Sequence, residues 1–150
     1  MAHTLTKILV HYVFSTKERR ALLPDPISDR LNRYMAGIAT NHEMHLLRAG
    51  GTADHRHLLV QLRPKVSVSE GVQVIKANSS GWLKETFPEL RTFAWQTGYA
   101  AFSVGLSSVQ SVVGYIDRQA EHHRKATFEE ELVAMLRRAG IEYDPNHLWD

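Results

Sequence analysis

The alternation of apolar and polar residues predicts a strand and then a helix at the start of the chain. Residues 7–14 are mostly β-branched and aromatic, which is typical of a buried strand. Asp25 is expected to cap a helix that has Pro26 at its first position and reaches about Thr40. Apolar residues recur within it at helical spacing. The predicted buried stripe consists of Leu31, Tyr34, Met35 and Ile38.

Two further strands, a helix and a fourth strand are predicted for the middle of the chain. The second and third strands are 43–49 and 55–62, joined by the glycine-containing turn 50–54. Ser67 can form a capping box with Glu70, so a helix is expected from there to about 87. The aromatic-rich segment 93–103 predicts a fourth strand.

Two helices and a tail are predicted for the C-terminal third. The capping boxes pair Ser107 with Gln110 and Thr127 with Glu130. They predict one helix from 108 to about 125 and a second from 128 to Gly140, where glycine ends it. The tail is expected to pack back through Ile141, Tyr143 and Trp149.

The order of these elements predicts an α+β fold. It is the ferredoxin-like split β-α-β arrangement of an antiparallel sheet, followed by a C-terminal helical extension that carries a tyrosine. We interpret 1–150 as one domain, because this length suits a single hydrophobic core. The tyrosine helix 108–125 is then followed by a helix and tail over 128–150. Many unrelated functions share this architecture, so the fold alone does not define the activity.

Composition narrows the classes of function. No apolar run approaches the roughly 20 residues that span a bilayer, so we expect no membrane partner. The absence of cysteine excludes disulfides and thiolate sites, and with no signal-peptide pattern it favours a cytoplasmic location. A net charge of +2 favours polyanion binding only mildly. The nine histidines direct attention to metal or acid–base chemistry.

His55 and His57 are candidate metal ligands at the start of the third predicted strand. Alternate residues of a strand share a face, and at roughly 3.3 Å per residue their Cα atoms are about 6.6 Å apart. Two imidazoles at this spacing can converge on one ion. The same spacing occurs on ordinary exposed strands, so the metal interpretation requires a third ligand.

Tyr115 and Gln119 could complete such a site. They lie one helical turn apart on the flank of the apolar stripe of their helix, and His122 falls on the same side. A phenol with a pKa of about 10 is a weak nucleophile at neutral pH, so it needs a cation or a polarised target beside it. The alternative is a tyrosine packed against the sheet with a solvated glutamine.

Taken together, these segments resemble the single-tyrosine HUH transposases of the small insertion-sequence type, and especially the REP-associated tyrosine transposases. The likeness rests on GGTADHRHLLV and VVGYIDRQAEHHRKATFEEEL, with HYVFSTKERRALL, IKANSSGWLKE, WQTGYAAFSVGLSSV and GIEYDPNHLWD in the same order. The resemblance implies that Tyr115 is the catalytic nucleophile and that Mg²⁺ or Mn²⁺ is bound by His55, His57 and Gln119. It implies no organic cofactor.

The resemblance also implies a reaction and its partners. Members of the family act as homodimers on single-stranded DNA that contains imperfect hairpins. They form a 5′-phosphotyrosine intermediate and a free 3′-OH, which can attack the intermediate and rejoin the strands without an external energy source. The sequence is compatible with Tyr115 serving the histidines of its own chain or those of a partner.

Arg56 departs from the family pattern, in which the middle position of the histidine pair is usually hydrophobic. It is expected on the helix-packed face of the sheet, where an unpaired charge is costly. We therefore expect it to extend to the sheet edge or to pair with a nearby acid. This departure keeps a second hypothesis open, a domesticated hairpin-binding protein without catalysis. A third is a metal phosphodiesterase that uses water instead of Tyr115.

Several residues are candidate DNA contacts, because cations can meet phosphates and aromatic rings can stack on unpaired bases. They are Lys17, Arg19, Arg20, Lys76, Ser79, Trp82, Arg118 and His122. For Trp82 we favour core packing over base stacking. Asp54 could orient one imidazole, but we interpret it as an ordinary turn residue.

Overall fold

A four-stranded antiparallel sheet is the centre of the computed structural model, which describes residues 3–150. The strands are β1 Ile8–Ser15, β2 Met44–Thr52, β3 His55–Leu62 and β4 Ala100–Val104. The helices are α1 Asp25–Asn41, α2 Val68–Thr86, α3 Val109–Asp117, α4 Gln119–His122 and α5 Phe128–Arg138. The strand order is β2-β3-β1-β4. This confirms the predicted ferredoxin-like α+β fold.

The two faces of the sheet are covered by different helices. On one face α1 and α2 enclose the largest apolar cluster, together with alternate residues of β1 and β3. The other face carries two smaller clusters, one around Ile116 of α3 and one around Phe128 of α5. Because successive strand residues alternate faces, His55 and His57 lie on the second face, between these two clusters.

The N-terminal elements follow the predicted pattern with two differences. Leu31, Met35 and Ile38 are buried in α1 as expected, whereas Tyr34 is 39% exposed and stacks on Trp82 at 4.5 Å between ring centroids. Strand β2 continues through the two glycines, so the hairpin turn is shorter than predicted and consists of 53–54. At Gly50 an added Cβ would lie 2.7 Å from the carbonyl oxygen of Ile116, so glycine allows α3 to approach the sheet closely.

The fourth strand is shorter than predicted, because only Ala100–Val104 joins the sheet. The preceding aromatic residues Phe93 and Trp95 are buried in the main core instead. A single bridge links Trp95 to Thr16. The aromatic content of this segment therefore reflects packing rather than strand pairing.

The predicted tyrosine helix is divided in two at Arg118, which has φ −102° and ψ 23°. The prediction of a Ser107–Gln110 capping box is wrong. The 3₁₀ turn Leu106–Ser108 precedes α3, and Ser108 at the N-cap position makes no side-chain hydrogen bond. The Thr127 box that opens α5 is present. In the tail, Tyr143 and Trp149 pack against the Phe128 cluster as predicted, whereas Ile141 is 41% exposed.

Across residues 3–150 the structure contains no helix that combines the length and the apolar character needed to cross a membrane.

Candidate active site

Side chains from five elements meet on the α3–α5 face of the sheet, between its two apolar clusters. The strands supply three histidines, and α3, α4 and α5 supply one residue each. The site residues are His11, His55, His57, Tyr115, Gln119 and Glu131. All are buried except Tyr115, which is half-buried. One chain thus brings together the four residues that the sequence singled out.

His55 is held between a carboxylate and an amide. Its Nδ1 lies 2.8 Å from Oδ1 of Asp54, which also accepts a hydrogen bond from the Thr52 hydroxyl. Its Nε2 lies 2.8 Å from Oε1 of Gln119. When Nδ1–H donates to the carboxylate, Nε2 of the neutral ring carries a lone pair that faces a second acceptor. Two acceptors at this distance require a proton or a cation between them. Asp54 orients the imidazole in addition to forming the turn.

His57 is the centre of a short chain of hydrogen bonds. Its Nε2 lies 2.9 Å from Oε1 of Glu131, and its Nδ1 lies 2.9 Å from Nε2 of His11. Burial lowers the pKa of His57 to about 4, although the hydrogen bond and charge of Glu131 act in the opposite direction. Burial also lowers the pKa of His11 to about 3, with His57 acting in the same sense. Both rings are neutral at pH 7, the form that binds metal ions.

Glu131 joins the histidines to the tyrosine. Its Oε1 contacts His57, while its Oε2 accepts hydrogen bonds from the Tyr115 hydroxyl and from Nε2 of Gln119, the latter at 3.0 Å. Burial alone would raise the pKa of Glu131, but hydrogen bonds from these three residues and the charge interaction with His57 hold it below its usual range. The carboxylate is therefore ionised at neutral pH.

Tyr115 lies where the site meets a cavity of about 430 Å³ between α3 and α5. Its ring centroid is 5.6 Å from that of His57. Burial and the neighbouring Glu131 raise the pKa of the Tyr115 hydroxyl above its usual value, while Gln119 and the charge of Arg138 act against this shift. The phenol is protonated at neutral pH, so attack by its oxygen requires the proton to be lost.

The donor set at the centre of the site fits a divalent cation. Nitrogen atoms of His55 and His57 and a carboxylate oxygen of Glu131 all lie within 4.8 Å of one another. Neighbouring donor atoms are 2.8 to 3.8 Å apart. Adjacent ligands of an ion held at roughly 2.1 Å lie about 3 Å apart, so small shifts would admit an ion. Imidazole, amide and carboxylate groups are all ligands of divalent metals.

Sequence reasoning missed Glu131 and His11. Glu131 lies on the flank of the apolar stripe of α5, next to Phe128 and Met135, and an acid in that position is a usable signal. His11 interrupts a strand that is otherwise buried, between Leu9 and Val13 on the same face. Neither signal identifies a site residue unless the residues that surround it in space are known.

The expectation for Arg56 was wrong, because its side chain neither reaches the sheet edge nor contacts an acid. It is 1% exposed on the α1 face and donates hydrogen bonds to neutral acceptors at 2.7 to 3.1 Å. The acceptors are Oδ1 of Asn32, Oγ of Ser28 and the carbonyl oxygens of Thr52 and His55. Burial lowers the pKa of Arg56 to about 10, so it stays charged at pH 7. The histidine pair on the opposite face is undisturbed.

The basic residues after β1 line none of the described cavities beside the tyrosine. Lys17, Arg19 and Arg20 are exposed in or beside the 3₁₀ turn Lys17–Arg19. The guanidinium of Arg19 lies over the ring of Trp149 at 4.4 Å, and that of Arg20 pairs with Glu18 at 3.1 Å. The cavity next to Lys17 and Arg20 shares no residue with the one beside Tyr115. Arg118 and His122, in contrast, line the tyrosine cavity.

The remaining candidate DNA contacts have partners within the chain. Lys76 donates to the carbonyl oxygens of three consecutive residues, 96–98, at 2.7 to 3.2 Å. Ser79 is buried and accepts a hydrogen bond from Nε1 of Trp95 at 3.0 Å. Trp82 is half-buried against Tyr34, on the side of the sheet opposite the histidines. These contacts stabilise the segment before β4 and the α1–α2 layer.

Sequence comparison connects the chain to known transposases. A sequence model of the family described as "Transposase IS200 like" matches residues 4–119. The transposase for insertion sequence element IS200 of Salmonella typhimurium is 30% identical over 130 residues, covering 83% of this chain and 84% of the relative. The IS200 transposase of Salmonella typhi has the same identity and coverage.

Solved structures show the same fold. A putative transposase from Deinococcus radiodurans aligns with a TM-score of 0.66 and 24% identity, over 79% of this chain and 95% of that one. A REP-associated tyrosine transposase bound to a REP hairpin aligns with a TM-score of 0.60 and 14% identity, over 82% and 72% of the two chains. The family match ends at Gln119, so α5 and Glu131 lie outside it. With a matched sequence model and relatives at this level of identity, the chain belongs to the IS200-like transposase family.

Proposed function

We propose that this transposase cuts and rejoins single-stranded DNA with Tyr115 as nucleophile and a divalent cation, Mg²⁺ or Mn²⁺, as cofactor. His55, His57 and Gln119 would hold the cation, joined by Glu131. The observation that carries the proposal is a shared partner, since Glu131 contacts both the Tyr115 hydroxyl and Nε2 of His57 within one chain. A nucleophile and a ligand set this close can act on the same phosphate.

The proposed reaction is a transesterification. The Tyr115 oxygen attacks phosphorus, the bond from phosphorus to the 3′ oxygen breaks, and a 5′-phosphotyrosine and a 3′-OH result. The phenol proton passes to solvent and the departing 3′ oxygen takes one from solvent. The cation would neutralise charge on the phosphate and make phosphorus more electrophilic. Asp54 and His11 orient the two imidazoles through their Nδ1 atoms.

The proposed substrate is single-stranded DNA with imperfect hairpins, and the proposed assembly is a homodimer. The structural neighbour bound to a REP hairpin supports this class of DNA. Arg118 and His122 are the best placed DNA contacts, because they line the tyrosine cavity. The exposed group Lys17, Arg19 and Arg20 would bind phosphates farther from the cut. Lys76, Ser79 and Trp82 rank below them, since their polar or aromatic groups are already engaged.

A covalent protein–DNA band tests the proposal. The protein is incubated with Mn²⁺ and hairpin-bearing single-stranded oligonucleotides, and the products are separated on a denaturing gel. We expect a shifted band from the wild type and none from Tyr115→Phe, because the nucleophilic oxygen is gone. Tyr34→Phe is the matched control, because Tyr34 packs against Trp82 on the opposite face of the sheet. This variant should keep the band. Tight DNA binding without any band would contradict the proposal.

The second candidate function is a hairpin-binding protein without catalysis. The observation in its favour is that Glu131 already bonds to the nucleophile and to His57, where substrate and ion would enter. Calorimetric titration with Mn²⁺ separates the two functions. Retained hairpin binding with no metal uptake at saturating Mn²⁺ favours the binding protein. Cleavage that survives in Tyr115→Phe would instead indicate a phosphodiesterase that uses water.

A further inference from the structure

Three adjoining cavities form a trough across Tyr115. The cavity of about 430 Å³ beside the tyrosine shares Tyr115, Arg118 and His122 with one of about 210 Å³ that also contains Lys125. On its other side it shares Arg138 with a cavity of about 640 Å³ that also contains Phe102. We call these three cavities the tyrosine trough. Tyr115 lies between its Lys125 end and its Phe102 end.

Cationic side chains lie on both sides of the tyrosine in this trough. Lys125 and Arg118 line one end, and Arg138 of α5 lines the other. None of the ion pairs found within residues 3–150 involves these three side chains. Arg118 is folded back along α3, where an added Cβ on Gly114 would lie 2.9 Å from its Nη1. The glycine thus permits this placement of the guanidinium.

Other residues of the trough also point to a nucleic-acid ligand. Nε2 of His122 is buried and has no hydrogen-bond partner among residues 3–150, although it lies 3.4 Å from Oε2 of Glu131. Phe102 is half-buried and offers a ring on which a base can stack. Three acids, Glu121, Glu130 and Glu131, line the trough as well. Glu131 accepts hydrogen bonds from Tyr115 and Gln119, and Glu130 accepts one from the Thr127 N–H. The three cations therefore face three carboxylates, two of which already accept hydrogen bonds within the chain.

We infer that the tyrosine trough is the path of the single strand through the site. A strand cut in its interior continues on both sides of the scissile phosphate, so a closed pocket would not accommodate it. The trough places phosphate-binding cations on each side of the nucleophile. Arg118 and Lys125 bind the backbone on one side of the cut, and Arg138 and Phe102 bind the nucleotides on the other. This inference rests on the proposed function and adds Lys125, Arg138 and Phe102 to it.

Salt dependence of DNA binding tests the trough. Binding of an oligodeoxythymidine of about 20 nucleotides is followed by fluorescence anisotropy at several salt concentrations, in the Tyr115→Phe background. Each lost phosphate contact should reduce the slope of log K against log salt by about 0.7 for single strands. We expect this reduction for Arg138→Ala and for Arg118→Ala. Arg137→Ala is the control, since Arg137 is exposed on α5 and lines none of the three cavities.

A second variant tests the stacking surface independently. Phe102→Leu should weaken binding about fivefold or more without changing the salt slope, because stacking involves no counterion release. Equal slopes for Arg138→Ala and Arg137→Ala would contradict the proposal that the trough binds DNA. The absence of any binding of the oligonucleotide would contradict it as well. A covalent band with unchanged slopes would retain the proposed function and reject the trough. Altered slopes without any covalent band from the wild type would support the trough as the DNA path and contradict the proposed cleavage.

Discussion

At the scale of single residues, Glu131 uses both of its carboxylate oxygens. One contacts His57 and the other accepts from Tyr115 and Gln119. A buried carboxylate needs such donors, since an unpaired buried charge is strongly unfavourable. The same arrangement leaves the carboxylate facing both imidazoles, with Nε2 of His55 3.8 Å from Oε1. Glu131 is therefore placed to serve as a metal ligand next to Tyr115, the proposed nucleophile.

Replacing Glu131 by glutamine should weaken Mn²⁺ binding by about tenfold or more, because the amide removes the negative charge that attracts the ion. Isothermal titration calorimetry measures this directly. Glu129→Gln is the matched control, since Glu129 is exposed on the same helix, and it should bind Mn²⁺ like the wild type. Unchanged Mn²⁺ affinity with faster formation of the covalent band would mean that the carboxylate stands where the substrate phosphate enters.

The sequence predicts those site residues that lie close together along the chain. His55 and His57 are two apart on a strand, and Tyr115 and Gln119 are four apart on a helix, so periodicity places each pair. Glu131 escapes this reasoning because its contact with His57 joins residues 74 positions apart. The partners of Arg56 escape it for the same reason, since Asn32 and Ser28 come from α1, which precedes the hairpin.

At the scale of elements, the approach of α3 to β2 determines where the tyrosine lies. Gly50 pairs with His57 in the hairpin and faces the backbone of Ile116, the residue after Tyr115. Capping residues and periodicity predict most helices and strands, but they do not show the break at Arg118. Apolar residues continue at helical spacing up to it, and directly after the break Oε1 of Gln119 lies 2.8 Å from Nε2 of His55.

Gly50→Ala should destabilise the protein by about 1–3 kcal/mol and slow covalent band formation, because the added Cβ would push α3 away from the sheet. Denaturant unfolding and the gel assay measure the two effects. Gly37→Ala is a control of opposite sign, since Gly37 is inside α1 with nothing within 4 Å of an added Cβ. It should stabilise the protein by about 0.5–1 kcal/mol. A Gly50→Ala protein of wild-type stability would show that α3 accommodates the methyl group.

At the scale of the whole molecule, the main hydrophobic core and the candidate active site lie on opposite faces of the sheet. The α1–α2 face contains the largest core, while the α3–α5 face holds the polar site between two small clusters. The tyrosine and the histidine pair lie on this second face of the same chain, with ring centroids of Tyr115 and His57 5.6 Å apart. Under the proposed function, this geometry predicts that Tyr115 acts with the histidines of its own chain, also in a dimer.

Mixing two inactive variants tests this arrangement. Tyr115→Phe lacks the nucleophile and His57→Ala lacks a ligand, so each protein has one defective component. We expect the mixture to form no covalent band, because no single chain has both groups. A restored band would show that the tyrosine of one protomer serves the histidines of the other. Mixtures of each variant with the wild type serve as positive controls for cleavage.

The position of α5 bears on how the sequence of this transposase can change in evolution. Glu131, which contacts the proposed nucleophile Tyr115, is on an eleven-residue helix that follows the family-matched segment. Its apolar residues pack in the Phe128 cluster against Val13 of β1 and against Ala100 and Phe102 of β4, so an exchanged helix has to keep this apolar face. Chimeras that carry the last helix of a relative would then differ in cutting and joining rates while keeping the same scaffold. The helix α5 is therefore a place where selection can change the reaction rate.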